Sequence, residues 1–239
     1  MYSFAWHTYF SWKYLMRLIV LVAGLFLYAV GIICLYRSNF GLGPWDVLHQ
    51  GISFHTPLSF GTTSIVVGAI LILGSLFLKV YPGVGTISNM ILIGVFEDML
   101  LHISWLQYLG QVFWGWRLLL NVVGVVIVGL GTALYIAPRL GAGPRDGLML
   151  RLHELTKLRV AIVRAGIEIS VLIIGFLLGG TVGIGTLIFA FGVGPALEFS
   201  FALFKKLRLT EWLVPIVLPI SVSIPVSEPD ANEIQPSCH

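Results

Sequence analysis

Slid along itself by 100 residues without a gap, the chain matches its own second half. Between residues 17 and 48, ten positions are identical to those 100 residues further on: Arg17, Leu18, Val22, Gly24, Gly31, Gly41, Gly43, Pro44, Asp46 and Leu48 pair with 117, 118, 122, 124, 131, 141, 143, 144, 146 and 148. The register continues, with Gly83, Gly85, Thr86 and Gly94 matching Gly183, Gly185, Thr186 and Gly194. Leucine and valine identities carry little weight in an apolar chain. Glycine, proline, arginine and aspartate identities carry much more. The chain therefore reads as a tandem duplication, and one structural solution has to serve both halves.

That solution is a membrane one. Of the 239 residues, 57% are hydrophobic and 10% charged, against about 25% charged in an average soluble domain. The mean hydropathy is +0.95. So few charges cannot cover so much apolar surface in water. A helix crosses the hydrocarbon layer with about 20 apolar residues, and six stretches qualify: 16–37, 60–80, 84–104, 117–138, 159–180 and 184–204. A seventh apolar run, 212–226, is short and carries Pro215, Pro219 and Pro225, so it is expected to be interfacial or irregular. The chain then divides into an interfacial N-terminal segment (1–15), a first membrane repeat (16–104), a second (117–204) and a cytoplasmic, largely irregular tail (205–239). The N-terminal segment lacks the basic start and small-residue cleavage site of a secretory signal and is expected to be retained. Its Trp6, Tyr9, Trp12 and Tyr14 read as an interfacial belt.

The net charge of +3 does not point to nucleic acid, because the cations lie between apolar segments and not along a basic stripe. With six crossings and a cytoplasmic N-terminus, twelve of the fourteen Lys and Arg residues fall on the cytoplasmic side and only Arg37 and Arg117 on the other. The positive-inside rule thus predicts an inner-membrane protein with both termini cytoplasmic. Cys34 and Cys238 have no metal-ligand spacing, and neither a metal nor a cofactor is expected.

Each repeat holds three crossings. Three is odd, so the second copy must run through the bilayer in the opposite sense. The expected fold is all-α, with six transmembrane helices as a 3+3 inverted-topology repeat, the arrangement in which many transporters place a site between the halves near the midplane.

The motif GxGPxD ends the first crossing of each copy, at 41–46 and 141–146. Two glycines before a proline break a helix. Proline then suits the first turn of a new one, and aspartate sits near its positive end. Short helices are expected over 44–54 and 144–155, too short to cross. They lie on the surface or dip in as re-entrant half-helices shielded by protein, with re-entry favoured. Asp46 and Asp146 are either helix caps or, with Gly43, Pro44, Gly143 and Pro144, the lining of a polar site. A carboxyl in a low dielectric holds its proton more tightly, so it suits proton or cation binding.

Glu168, one turn after Arg164, is expected to pair within its helix and to face inward. Asp98 and Glu198, partners at the repeat spacing, are secondary site candidates or snorkel at helix ends. Glu97 stands beside Asp98 near a helix end. Asn89 and Asn121 are expected to bond neighbouring helices, and the GxGT copies at Gly83–Thr86 and Gly183–Thr186 to serve close helix packing. The six histidines read as interfacial or packing residues.

The doubled G-x-G-P-x-D-x-L, with the later G-I-G-T-L of Gly183–Leu187 and G-P-A of Gly194–Ala196, resembles the YitT/YczE-type bacterial integral membrane proteins over roughly 15–205. The first copy departs from it with Val95 where the second has Pro195. The resemblance implies a bacterial inner-membrane protein and assigns no catalytic residue.

Function is expected to be that of a small-molecule or ion permease with its site between the repeats, surrounded by lipid. A non-transporting scaffold or regulator is the alternative, and it requires a dry, well-packed repeat interface. An intramembrane enzyme is disfavoured: proline and one more residue separate the second glycine from aspartate, unlike the G-x-G-D of intramembrane aspartyl proteases. The solute's identity and a homo-oligomeric state are left open by the sequence.

Overall fold

A computed structural model describes residues 12–111, 113–141 and 143–206. Every regular element among them is a helix: α1 (Trp12–Ser38), α2 (Pro44–His55), α3 (Phe60–Phe77), α4 (Val84–Leu101), α5 (Ser104–Tyr108), α6 (Trp114–Ile136), α7 (Pro144–Thr156), α8 (Val160–Leu177) and α9 (Ile184–Lys206). Six of them, α1, α3, α4, α6, α8 and α9, are long and apolar enough to cross a membrane. At about 1.5 Å per residue, even the 18-residue α3, α4 and α8 approach the ~30 Å of hydrocarbon.

The six expected spans coincide with these helices. α1 starts four residues earlier than expected. α3 stops at Phe77, short of 80, because the chain turns left-handed at Lys79, φ 61°. The five-residue α5 carries no strong periodicity and was not legible in the sequence. Trp6, Tyr9, the proline-rich run 212–226 and the tail beyond Lys206 lie outside the described residues; Lys205 and Lys206, expected in the irregular tail, close α9.

The backbone repeats with the sequence. Left-handed φ angles recur at Asn39 (54°) and Arg139 (53°), at Gly41 (120°) and Gly141 (139°), and at Lys79 (61°) and Gly179 (81°). The first glycine of each GxGPxD therefore adopts a conformation that a side chain would strain. Gly43 and Gly143 are the N-caps of α2 and α7, and Pro44 and Pro144 open those helices.

α1 and α6 form the central pair, α1 flanked by α4 and α6 by α9. Glycine lets their backbones touch. A Cβ on Gly24 would stand 2.5 Å from the Tyr135 nitrogen, and one on Gly131 equally close to that of Tyr28. Further along, Gly31 abuts Val128 and Gly124. Numbers rise along α1 as they fall along α6, so the two helices pass in opposite directions. Leu21, Leu25, Ile32, Leu35, Val125 and Val128 fill the core around them.

The halves also exchange their short helices. α2 packs on α8 as well as α3, and α7 on α3 as well as α8. The approach to each short helix docks on the GxGT of the other half: the Gly185 N–H donates to the Phe40 carbonyl (2.8 Å), and the Gly85 N–H to that of Leu140 (2.9 Å). Asn121 Nδ2 donates to Ser38 Oγ (3.0 Å) and the Gly41 carbonyl (3.3 Å), and Arg117 Nε to the Ser38 carbonyl (2.9 Å). Broken backbone in a membrane must find partners inside the protein, and these bonds supply them.

Candidate functional site

Both short helices begin at one cavity of about 230 Å³. Its walls come from equivalent positions of the two halves. Tyr28 and Val128, Gly43 and Gly143, Pro44 and Pro144, Trp45 and Arg145, Ser64 and Arg164, Gly68 and Glu168, and Asn89 and Phe189 all line it. A pair of equivalent positions meets across the space: the Arg145 guanidinium stacks 4.9 Å from the centre of the Trp45 ring. Such stacking holds a cation in place without neutralising it.

Several residues expected at a site are together here. Asp46, Gly43, Pro44, Gly143, Pro144 and Glu168 all face this cavity. The side chain of Asp146 lies outside the described residues. Asp98 stands elsewhere and does structural work. It accepts hydrogen bonds from the Gly61 N–H (2.9 Å), the Ser59 hydroxyl and the Thr62 hydroxyl (3.4 Å), tying the start of α3 to the end of α4. Glu198 is exposed and outside the lining. Glu168 pairs with Arg164 at 2.8 Å, one turn apart as the spacing anticipates.

Four participants escaped the sequence reading: Trp45, His49, Glu97 and Arg145. Trp45 and Arg145 occupy one of the two unlike positions inside the repeated motif, so a search for identities passes over them. His49 lies three residues after Asp46, on the same helical face, with Nδ1 3.7 Å from Asp46 Oδ1. Glu97 reads as a helix-end residue but is fully buried. It lies just behind the cavity wall, near enough to Asp46 and Arg145 for their charges to act on it. The Ser64 hydroxyl approaches it without completing a hydrogen bond.

The polar groups are poorly satisfied. Both Glu97 oxygens, Asp46 Oδ1 and His49 Nδ1 are buried without a hydrogen-bond partner. An orphaned buried polar atom costs about 1–3 kcal/mol, more if charged, so sites that keep such atoms usually have a functional reason for them. α2 does not cross the membrane. On it, burial raises the Asp46 carboxyl to about 6, with the Arg145 charge opposing. Burial also holds the His49 imidazole well below its ordinary value, and Arg145 adds to that. Among the described residues no cluster of three or more His, Cys, Asp or Glu side chains is arranged to hold a metal ion.

The cavity is closed unequally. In the first half, α3 packs on α4, with Gly61 against the Gly94 carbonyl and Gly68 against Met90, under the Asp98 clasp. In the second half α8 and α9 barely touch. Gly194, equivalent to Gly94, has open space where a Cβ would point.

The family model described as a family of unknown function, DUF6198, matches residues 15–201. The chain belongs to the DUF6198 family. A protein of Haemophilus influenzae described as uncharacterized is 36% identical over 188 residues, 79% of this chain and 84% of the relative. The Bacillus subtilis uncharacterized membrane protein YczE is 36% identical over 182 residues, 74% of this chain and 82% of the relative. A second Bacillus subtilis protein, YyaS, is 27% identical over 172 residues. The YczE-type resemblance read from the doubled motif is thereby confirmed. No solved structure matches. Together with the six apolar helices, these relatives make this an integral, multi-pass membrane protein.

Proposed function

We propose that this DUF6198 protein is a permease for a small solute or ion, with its halves arranged as inverted repeats around a central site. The observation that carries the reading is the cavity: two half-helices from opposite halves start at one space, lined pairwise by equivalent residues. The opposed passage of α1 and α6 and the exchanged docking of α2 and α7 support the inversion. The burial of the whole run Pro44–Gly51 supports re-entry over a surface position for α2.

In this reading Asp46, Arg145 and Glu168 contact the solute, and Trp45 supplies an apolar wall. The positive ends of α2 and α7 face the same space. The unequal closure corresponds to one state of an alternating cycle. The α3–α4 clasp shuts the outer side, and the loose α8–α9 pair leaves the inner side open. The opposite state follows when the second half tightens and the first loosens. A non-transporting scaffold needs no polar space between its halves, and the unpaired buried groups around this one argue against that role.

The test needs no knowledge of the solute. Ser64 lines the cavity. In a background with Cys34 and Cys238 replaced, Ser64→Cys should react with a membrane-impermeant thiol reagent from the cytoplasmic face in inside-out vesicles, and more slowly from the outer face in intact cells. Reaction from neither face, or from one face only, refutes alternating access. A flux screen of small ions and polar solutes in proteoliposomes then identifies the substrate, with Asp46→Asn and Asp146→Asn as controls. Flux unchanged in both would remove the aspartates from the mechanism.

A further inference from the structure

The cavity describes where a solute sits. Behind its wall stands a group that the solute does not reach. Glu97 is fully buried on α4, and neither of its oxygens has a hydrogen-bond partner. No cation stands within ion-pair distance of it among the described residues. The charged and titratable groups acting on it are Asp46 on α2, Asp98 on its own helix and Arg145 on α7, with the Ser64 hydroxyl on α3; His49 stands beside Asp46. Two of those groups are carboxyls, and none of the groups forms an ion pair with it. An unpaired carboxylate in a dry interior costs many kcal/mol, so the neutral acid is the form such a site holds. A neutral acid held beside an ionisable one is the arrangement that hands protons on.

We propose that Glu97 is a proton-carrying carboxyl, loaded and unloaded through Asp46 at the cavity wall. It rests on the permease reading for its purpose, proton-coupled uptake, but not for its existence. In the transfer, the Glu97 O–H bond breaks and an O–H bond forms on the Asp46 carboxylate. Asp46, which lines the cavity, then releases the proton to water there. Nothing is oxidised or reduced. The neighbour of Glu97 in the chain is Asp98, the residue that ties α3 to α4. Charging Glu97 places an uncompensated negative charge at that joint and favours its opening. The equivalent residue in the second half is Leu197, so only one half carries the proton.

The test is an infrared pH titration of the full chain in lipid vesicles, with no solute and no gradient, so that its outcome is independent of any flux result. Wild type should show a protonated-carboxyl carbonyl band at neutral pH that disappears on alkaline titration. Glu97→Gln should lack it, and Glu97→Asp should keep a band at displaced frequency. Asp46→Asn should move the midpoint down by roughly one pH unit, because a nearby negative charge is gone. If Glu97→Gln does not fold, the aspartate and Asp46→Asn variants still decide the matter. A wild type with no such band at neutral pH overturns the proposal. So does a band unchanged in Glu97→Gln, or one whose frequency ignores Glu97→Asp. If the band behaves as expected but no flux is found, the proton site stands and the permease reading fails.

Discussion

The seat of α2 on α8 can be tested by adding a single methyl group. A Cβ on Gly175 would lie 2.5 Å from the Leu48 nitrogen and 2.7 Å from the Leu48 Cα and the Val47 carbonyl carbon. All three are backbone atoms and cannot swing aside. Ordinary contact begins near 3.4 Å, so Gly175→Ala must push α2 outward by about an ångström or bend α8. Overpacking of this kind costs about 1–3 kcal/mol. Nine residues away on the same helix, Gly166 has nothing within 4 Å of its would-be Cβ. Gly166→Ala should be neutral or stabilising by up to about 1 kcal/mol, because alanine is the better helix former.

The assay is thermal unfolding of both variants in one detergent. At roughly 2–4 °C per kcal/mol for a chain of this size, Gly175→Ala should melt several degrees below wild type and Gly166→Ala at or above it. Displacing α2 also opens the cavity wall, so a cysteine at position 45 should label faster in the Gly175→Ala background. Equal melting temperatures for the two variants would refute the tight docking of α2 on the opposite half.

Further outcomes follow from the same contacts. Asp98→Ala should cost about 1–3 kcal/mol, because it strips the Gly61 N–H and two hydroxyls of their acceptor, while Glu198→Ala, which is exposed, should leave the melting temperature unchanged. Asn121→Ala should cost a similar amount by releasing Ser38 and the Gly41 carbonyl, and limited proteolysis near residues 39–43 should accelerate. Glu154→Ala should change nothing measurable, because the Arg151–Glu154 pair is largely solvated. Asp46 gives a pH signature. Folding raises its carboxyl from 3.8 to about 6, so the folded state binds the proton more tightly than the unfolded chain. That stabilisation is complete below about pH 3.8 and lost as pH rises through about 6. Asp46→Asn should therefore gain up to about 3 kcal/mol on wild type at neutral pH, and no gain should appear in melts near pH 4.

Much of the architecture was written in the chain. Apolar stretches of membrane length marked the six crossings, and GxGPxD marked the two breaks, because glycine and proline act locally and leave little choice of backbone. The short helices began at Pro44 and Pro144 as that logic requires. The site was only half legible. Asp46, Gly43, Pro44 and Glu168, singled out by repetition or by depth in a span, line the cavity. Asp98 was found by the same rule and turned out to tie two helices together. Glu97, its neighbour, was passed over, since the direction in which a helical residue points depends on packing that one sequence does not reveal.

The misses share a cause. Matching the halves to each other selects what both copies keep, and what both keep is the scaffold: turns, close helix crossings and caps. The cavity between the halves also depends on what differs. Trp45 faces Arg145 across the cavity, and two identical residues there would set either two cations or two indoles against each other. Glu97 has Leu197 as its counterpart, and Gly68 has Glu168. Each replacement puts charge on one half only, and so polarises a cavity lined from equivalent positions. Exchanging the pair, with Trp45→Arg and Arg145→Trp in one chain, should preserve folding and the stack but reverse the neighbours of the guanidinium. The double variant should melt closer to wild type than Trp45→Arg alone, which leaves two arginines together. A double variant no more stable than that single one would show that the two residues do not meet.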